Sequence, residues 1–136
     1  MVSYTQKSHL ATMLATKLKA SMESRGFTVW LDTTMQDKSE DAMQEAVENS
    51  MVVLAIITGD TEIQNDPNAY LNRPFCQAEL RWAKKAKIHL QPVIHSDDKT
   101  KIGKFIEMAP DDLKHIGGID FVDVPAVPLN PRFSSN

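Results

Sequence analysis

Apolar residues at Leu10, Met13, Leu14, Leu18 and Met22 recur at three- and four-residue intervals, the spacing that gathers side chains on one face of an α-helix. The pattern predicts a helix over 8–25 with Gly26 as its stop. Phe27-Thr28-Val29-Trp30-Leu31 is rich in β-branched and aromatic residues and reads as a strand ending at Asp32. A second helix opens at Ser39 as N-cap, puts Glu40 and Asp41 in its positive first turn, and turns Met43, Ala46 and Val47 inward. Met51 to Ile57 is a continuous apolar run, as in a parallel strand covered on both faces. A third helix starts near Pro74, which is tolerated in a first turn, and runs to about Lys87. Ile88 to Ile94 follows as a strand in which Pro92 implies an edge, a bulge or a strand end. Ile102 to Met108 suits a short helix and Ile119 to Val122 a last strand. Alternating strands and helices imply right-handed βαβ units, hence an α/β fold with a mainly parallel sheet between helices.

Composition narrows the picture. The 136 residues, 42% of them hydrophobic, suffice for one core and are too few for two ordinary domains. Fifteen Lys and Arg against eighteen Asp and Glu give a net charge of −3 with no long block of either sign, so no nucleic-acid partner is expected. The single Cys76 cannot form an internal disulfide, and no basic-then-apolar leader precedes the first helix; a reducing, cytoplasmic setting is the expectation. The longest apolar run is far below the roughly 18 to 20 residues that cross a bilayer, so no membrane partner is expected. The segment Val124 to Asn136, with three prolines and a Ser-Ser-Asn end, reads as an irregular tail.

Five landmarks then occur in order: Ser3-Tyr4; Gly26 to Asp32; Ala46 to Ser50; the apolar run; and Arg73-Pro74-Phe75-Cys76-Gln77-Ala78-Glu79-Leu80. Together they resemble a TIR (Toll/interleukin receptor-like) domain over residues 1–123. The resemblance implies a flavodoxin-like three-layer sandwich, a mainly parallel sheet of four or five strands in order 2-1-3-4-5, and a ligand site at the C-terminal sheet edge near the first strand and third helix. Only Met1 to Tyr4 stand for the central first strand and the family's final helix is missing, so a domain trimmed at both ends is expected. The loop Thr33 to Lys38 lacks the Arg-Asp-x-x-Pro-Gly pattern of animal receptor and adaptor TIR domains.

On a helical wheel Phe75, Cys76, Trp82, Ala83 and Ala86 fall within roughly 60° of Glu79, while Arg81, Lys84 and Lys85 lie opposite. Glu79 is thus an acid in an apolar arc, with no Lys or Arg three or four positions away to neutralise it. That placement suits either a functional carboxylate or a buried anchor bonded to a neighbouring loop. The resemblance favours function: NAD-cleaving TIR domains carry their catalytic Glu at this helix position, with an aromatic four residues earlier, here Phe75, against a substrate ring. It implies an NAD glycohydrolase or cyclase in which NAD is substrate rather than cofactor and no metal takes part. Breaking the nicotinamide–ribose bond leaves an oxocarbenium-like ribose that a carboxylate can stabilise. Capture by water gives ADP-ribose, and capture by an adenine nitrogen gives a cyclic product.

Other substrate-binding candidates are Tyr4, Thr5 and Gln6 after the first strand, Trp30 and Asp32 at the end of the second, and Cys76 beside Glu79. Each has an ordinary structural alternative: core packing for Trp30 and Cys76, a loop cap for Asp32 and, for nearby Lys7, a solvated surface charge. His9, His89, His95 and His115 show no metal-ligand spacing with Cys76, and Gly59 and Gly117-Gly118 form no dinucleotide fingerprint. Besides NAD, the expected partners are other TIR domains. The main alternative to the enzyme is a signalling module that only recruits them. A phosphoacceptor receiver of similar fold ranks last, because no paired acids follow the first strand.

Overall fold

The computed structural model describes residues 1–29, 31 and 39–125. Its elements run β1 (Val2–Ser3), α1 (His9–Glu23), α2 (Glu40–Glu48), β2 (Val52–Ile57), α3 (Pro74–Lys85), β3 (His89–His95), α4 (Ile102–Glu107) and β4 (Val122–Val124). Stretches of 3-10 helix fill Tyr70–Asn72, Ser96–Lys101 and Asp111–Gly118. The helix ends follow local chemistry. Ser8 Oγ accepts from Ala11 N–H at 3.1 Å to start α1, and Ser39 Oγ accepts from Ala42 N–H at 3.2 Å to start α2. Gly26 closes the far end of α1 at φ +90, a backbone state that costs a residue without Cβ little, and Phe27 N–H reaches back to Met22 O at 3.1 Å.

All the strand pairs are parallel. β2 lies between β1 and β3, β4 adds beyond β3, and Leu31 bridges Val2 on the open side of β1. Counting that bridge as the second strand in chain order, the arrangement is 2-1-3-4-5, the flavodoxin-like order. Strand alternation divides the core into layers. Val2, Leu54, Ile56 and Val93 pack with Leu14 and Ala15 of α1. On the opposite face Ala55, Ile57 and Ile94 pack with Leu80 of α3, Phe105 of α4 and Leu113. Met43 and Val47 are the buried side of α2, and Val47 joins Val53 and Ala83.

Three sequence expectations change in detail. The strand at Phe27–Leu31 is reduced, among its described residues, to the one bridge at Leu31; β1 spans only two residues, so it offers little to pair with, and Phe27 is exposed. The last strand is Val122–Val124 rather than Ile119 to Val122, because its ladder to β3 begins at Val93↔Val122. Pro92 stands inside an interior strand. It precedes the first rung shared with β4, so its missing N–H removes no bond from that ladder, and the Gln91 side chain bridges to Asp120 O at 2.8 Å instead. Trp30, Asp32, Thr33 to Lys38 and residues 126–136 lie outside the described residues.

Gly59, directly after Thr58 at the end of β2, is held by packing. A Cβ there would come 3.0 Å from Ala69 Cβ and 3.1 Å from Phe105 Cε1, and both neighbours are buried. Gly59→Ala is therefore expected to destabilise the domain by about 1 to 3 kcal/mol, the usual cost of overpacking, in a denaturant titration. An unchanged midpoint would show that Phe105 yields freely.

Candidate functional site

The loop after β1, the loop-facing side of α2 and the first turn of α3 enclose a cleft of about 360 Å³ at the C-terminal edge of the sheet. That is within the range of small-ligand pockets. Tyr4, Thr5, Gln6, Lys7, Met43, Arg73, Phe75 and Cys76 line it. Tyr4, Thr5 and Cys76 are buried and form its inner wall, whereas Gln6, Lys7 and Phe75 reach solvent. Lys7 and Arg73 give it positive charge, and no acid is among its described lining residues. Arg73 occupies the N-cap of α3 without making a side-chain cap bond. A cation there opposes the positive end of the helix dipole, so its position costs some stability and reinforces an anion-attracting field.

Glu79 lies one turn deeper on α3. Cys76, Glu79, Leu80 and Ala83 are the buried stripe of the helix, and Glu79 itself is 0% exposed. Ser3 Oγ donates to Glu79 Oε1 at 2.8 Å and shares a 2.6 Å hydrogen bond with the Tyr70 hydroxyl. The carboxylate is thereby tied to β1 and to the 3-10 turn ahead of α3. Its field reaches the Met1 ammonium: burial pushes that group below its ordinary value, and the Glu79 charge opposes the shift. Glu79 sits behind the wall formed by Cys76 and the β1 loop and is not among the residues lining the cleft.

The family model of the TIR domain matches residues 1–127. The chain belongs to the TIR family. No curated protein matches it. The TIR family includes NAD-cleaving enzymes, and its members associate with one another. Among the described residues, no helix of this TIR domain is long and apolar enough to cross a membrane.

Of the residues singled out in the sequence, the fold brings Tyr4, Thr5, Gln6, Phe75 and Cys76 together around one cleft and sets Glu79 beneath it. Trp30 and Asp32 are outside the described residues. The wheel placed Phe75 on the Glu79 face, yet Phe75 is 52% exposed while Glu79 is enclosed. The buried stripe of α3 is centred on the Leu80 side of Glu79, which leaves Phe75 at its margin and Cys76, in the same first turn, inside it. Arg73, Met43 and Tyr70 are not among the site residues expected from the sequence, although Arg73 opens the fifth landmark and Met43 reads as an inward residue of α2. Arg73 had a usable signal, a cation where a helix start favours an anion or a small capping residue. Tyr70 had none, since its bond to Ser3 joins residues 67 apart.

Proposed function

We propose that this TIR domain cleaves the nicotinamide–ribose bond of NAD, with Glu79 as the carboxylate that stabilises the ribosyl cation. The observation that carries the reading is a fully enclosed carboxylate on the helix whose first turn walls a positively lined cleft. In the reaction the C–N bond breaks and its electron pair leaves with nicotinamide, which becomes neutral. Because the leaving group begins positively charged, no strong general acid is needed. Water then forms the new C–O bond and releases a proton, giving ADP-ribose; attack by an adenine nitrogen gives a cyclic product instead. Arg73 and Lys7 suit the pyrophosphate, and the exposed Phe75 ring suits stacking on a substrate ring.

Glu79 meets the ribose in this reading once the Tyr4 to Lys7 loop shifts and the Ser3 bond to Glu79 is exchanged for bonds to ribose hydroxyls. Association with a second TIR domain supplies that shift. A non-catalytic recruiting module is the second reading. The same burial and the Ser3 bond favour it, since an anchor joining α3 to β1 would have both.

Phe75→Ala tests the cleft. Stacking of a ring on an aromatic side chain is worth about 1 kcal/mol or somewhat more, so KM for NAD is expected to rise about five- to tenfold with the fold intact. NAD should also perturb the backbone amides of Tyr4 to Lys7 and of Phe75 to Gln77 in an NMR titration. An unchanged KM together with no perturbation in those segments would remove this cleft from the reaction.

A further inference from the structure

A second cleft, of about 430 Å³, opens on the α1 face of the sheet. Lys7 and Ser8 ahead of α1, Thr58 and Asp60 after β2, and Asp98 and Lys101 after β3 line it. It lies between the C-terminal ends of β1 and β2, where the strand order reverses, which is where open α/β sheets place ligands. Lys7 borders both clefts.

Two buried polar groups on this side lack what such groups normally have. Thr58 is 3% exposed, and its Oγ1 has no hydrogen-bond partner among the described residues. The β2–β3 register ends at Ile57↔Ile94, so the next residue of β3, His95, stands beside Thr58. His95 is equally buried and its Nε2 is also without a partner among the described residues. Asp97 N–H donates to His95 Nδ1 at 3.0 Å, so the neutral ring carries its proton on Nε2. Strand alternation sets Thr58 with Ile56 and His95 with Val93, both in the α1-side core. Burying such groups unsatisfied is costly, and native structures seldom do so without a ligand or another purpose.

The lining residues select among ligand classes. Two ammonium groups and three carboxylates, those of Asp60, Asp66 and Asp98, are too polar a lining for an apolar ligand. No three His, Cys, Asp or Glu among the described residues converge to hold a metal ion. A bare anion would meet the carboxylates. Asp66 is committed to the loop, accepting from Asp60 N–H and Asn68 N–H at 2.9 Å each. Asp60 accepts from Glu62 N–H at 2.9 Å through Oδ1 and keeps Oδ2 as an acceptor, and Asp98 lies beside Lys101, its Oδ1 3.5 Å from Nζ. The matching ligand carries an anionic end and several hydroxyl donors.

We propose that the second cleft binds a ribosyl phosphate group. The phosphate lies against Lys7, Lys101 and the first turn of α1, the sugar hydroxyls donate to Asp60 and Asp98, and the Thr58 hydroxyl gains the partner it lacks. Ribose 5-phosphate is the probe; NAD contains the same group, so the second cleft is told from the first by which amides shift, those of Thr58 to Asp60 and Asp98 to Lys101 rather than those of Phe75 to Gln77. In an NMR titration of the full chain, the amides of Thr58 to Asp60 and Asp98 to Lys101 are expected to shift saturably, with a Kd of about 1 mM or tighter. Lys101→Ala should weaken binding about tenfold, as loss of a charge-assisted bond does. Thr58→Val should weaken it while leaving the melting temperature equal or higher, because it deletes an unsatisfied hydroxyl. Absence of saturation, inorganic phosphate binding as tightly as ribose 5-phosphate, or Thr58→Val binding as the parent does would each overturn the assignment.

Discussion

Exchange of Glu79 for glutamine is expected to lower nicotinamide release by roughly a hundred- to a thousandfold, the usual consequence of removing a preorganised group that stabilises transition-state charge. Stability should move the other way or stay level. Glutamine keeps an acceptor for the Ser3 hydroxyl, now 2.8 Å from Glu79 Oε1, and removes a charge from a position that is 0% exposed. A group kept for chemistry at a cost to stability behaves in this way. If Glu79 served only to tie α3 to β1, glutamine would lower the melting temperature, and lost activity would follow the fraction unfolded. Glu79→Ala separates the cases further: it leaves Ser3 Oγ without its acceptor, so it should melt lower than Glu79→Gln while being equally inactive. Thermal unfolding and nicotinamide release measured on the same preparations distinguish the two roles. A stable Glu79→Gln protein with full turnover would remove the catalytic assignment.

The second large effect concerns concentration. Glu79 lies behind Cys76 and the β1 loop in the single chain, so a site completed by a neighbouring TIR domain should be scarce in dilute protein. Where the active species is a minor dimer, its concentration varies with the square of the total concentration, and tenfold dilution should lower the rate per unit volume about a hundredfold, or the rate per chain about tenfold. Crowding, or capture of the chains on a support, should restore it. Strictly proportional activity across the dilution series would mean that one chain carries a complete site.

Much of the fold is legible because its signals are local. Ser39, Gly26 and Pro74 mark helix ends through bonds and backbone states settled within a few residues, and the structure places helix ends beside each of them. The buried stripe of α3 is legible only in part: helical period puts Cys76 and Ala83 beside Glu79, but Leu80 joins the stripe and Phe75, Trp82 and Ala86 do not. Pairing is less legible. Neither the reduction of Phe27–Leu31 to one bridge nor the interior place of Pro92 can be read from those segments, because each depends on the length and offset of another strand. The cleft divides along the same line. The landmark residues of the first strand and third helix converge, yet the enclosure of Glu79 depends on Ser3 and Tyr70, which are 76 and 9 positions away in the chain. The wheel centred its apolar arc on Glu79, whereas the buried stripe is centred on the Leu80 side of Glu79, so exposed Phe75 falls at its margin.

The most direct test is a product assay on clustered wild-type protein supplied with NAD, quantifying nicotinamide and the ribosyl product together, with Glu79→Gln run in parallel. The expected result is nicotinamide released in equal amount with ADP-ribose or its cyclic form by the wild type, and almost none by the variant. Wild-type protein that is folded, clustered and inert toward NAD would contradict the enzyme and leave this TIR domain as a recruiting module anchored by Glu79.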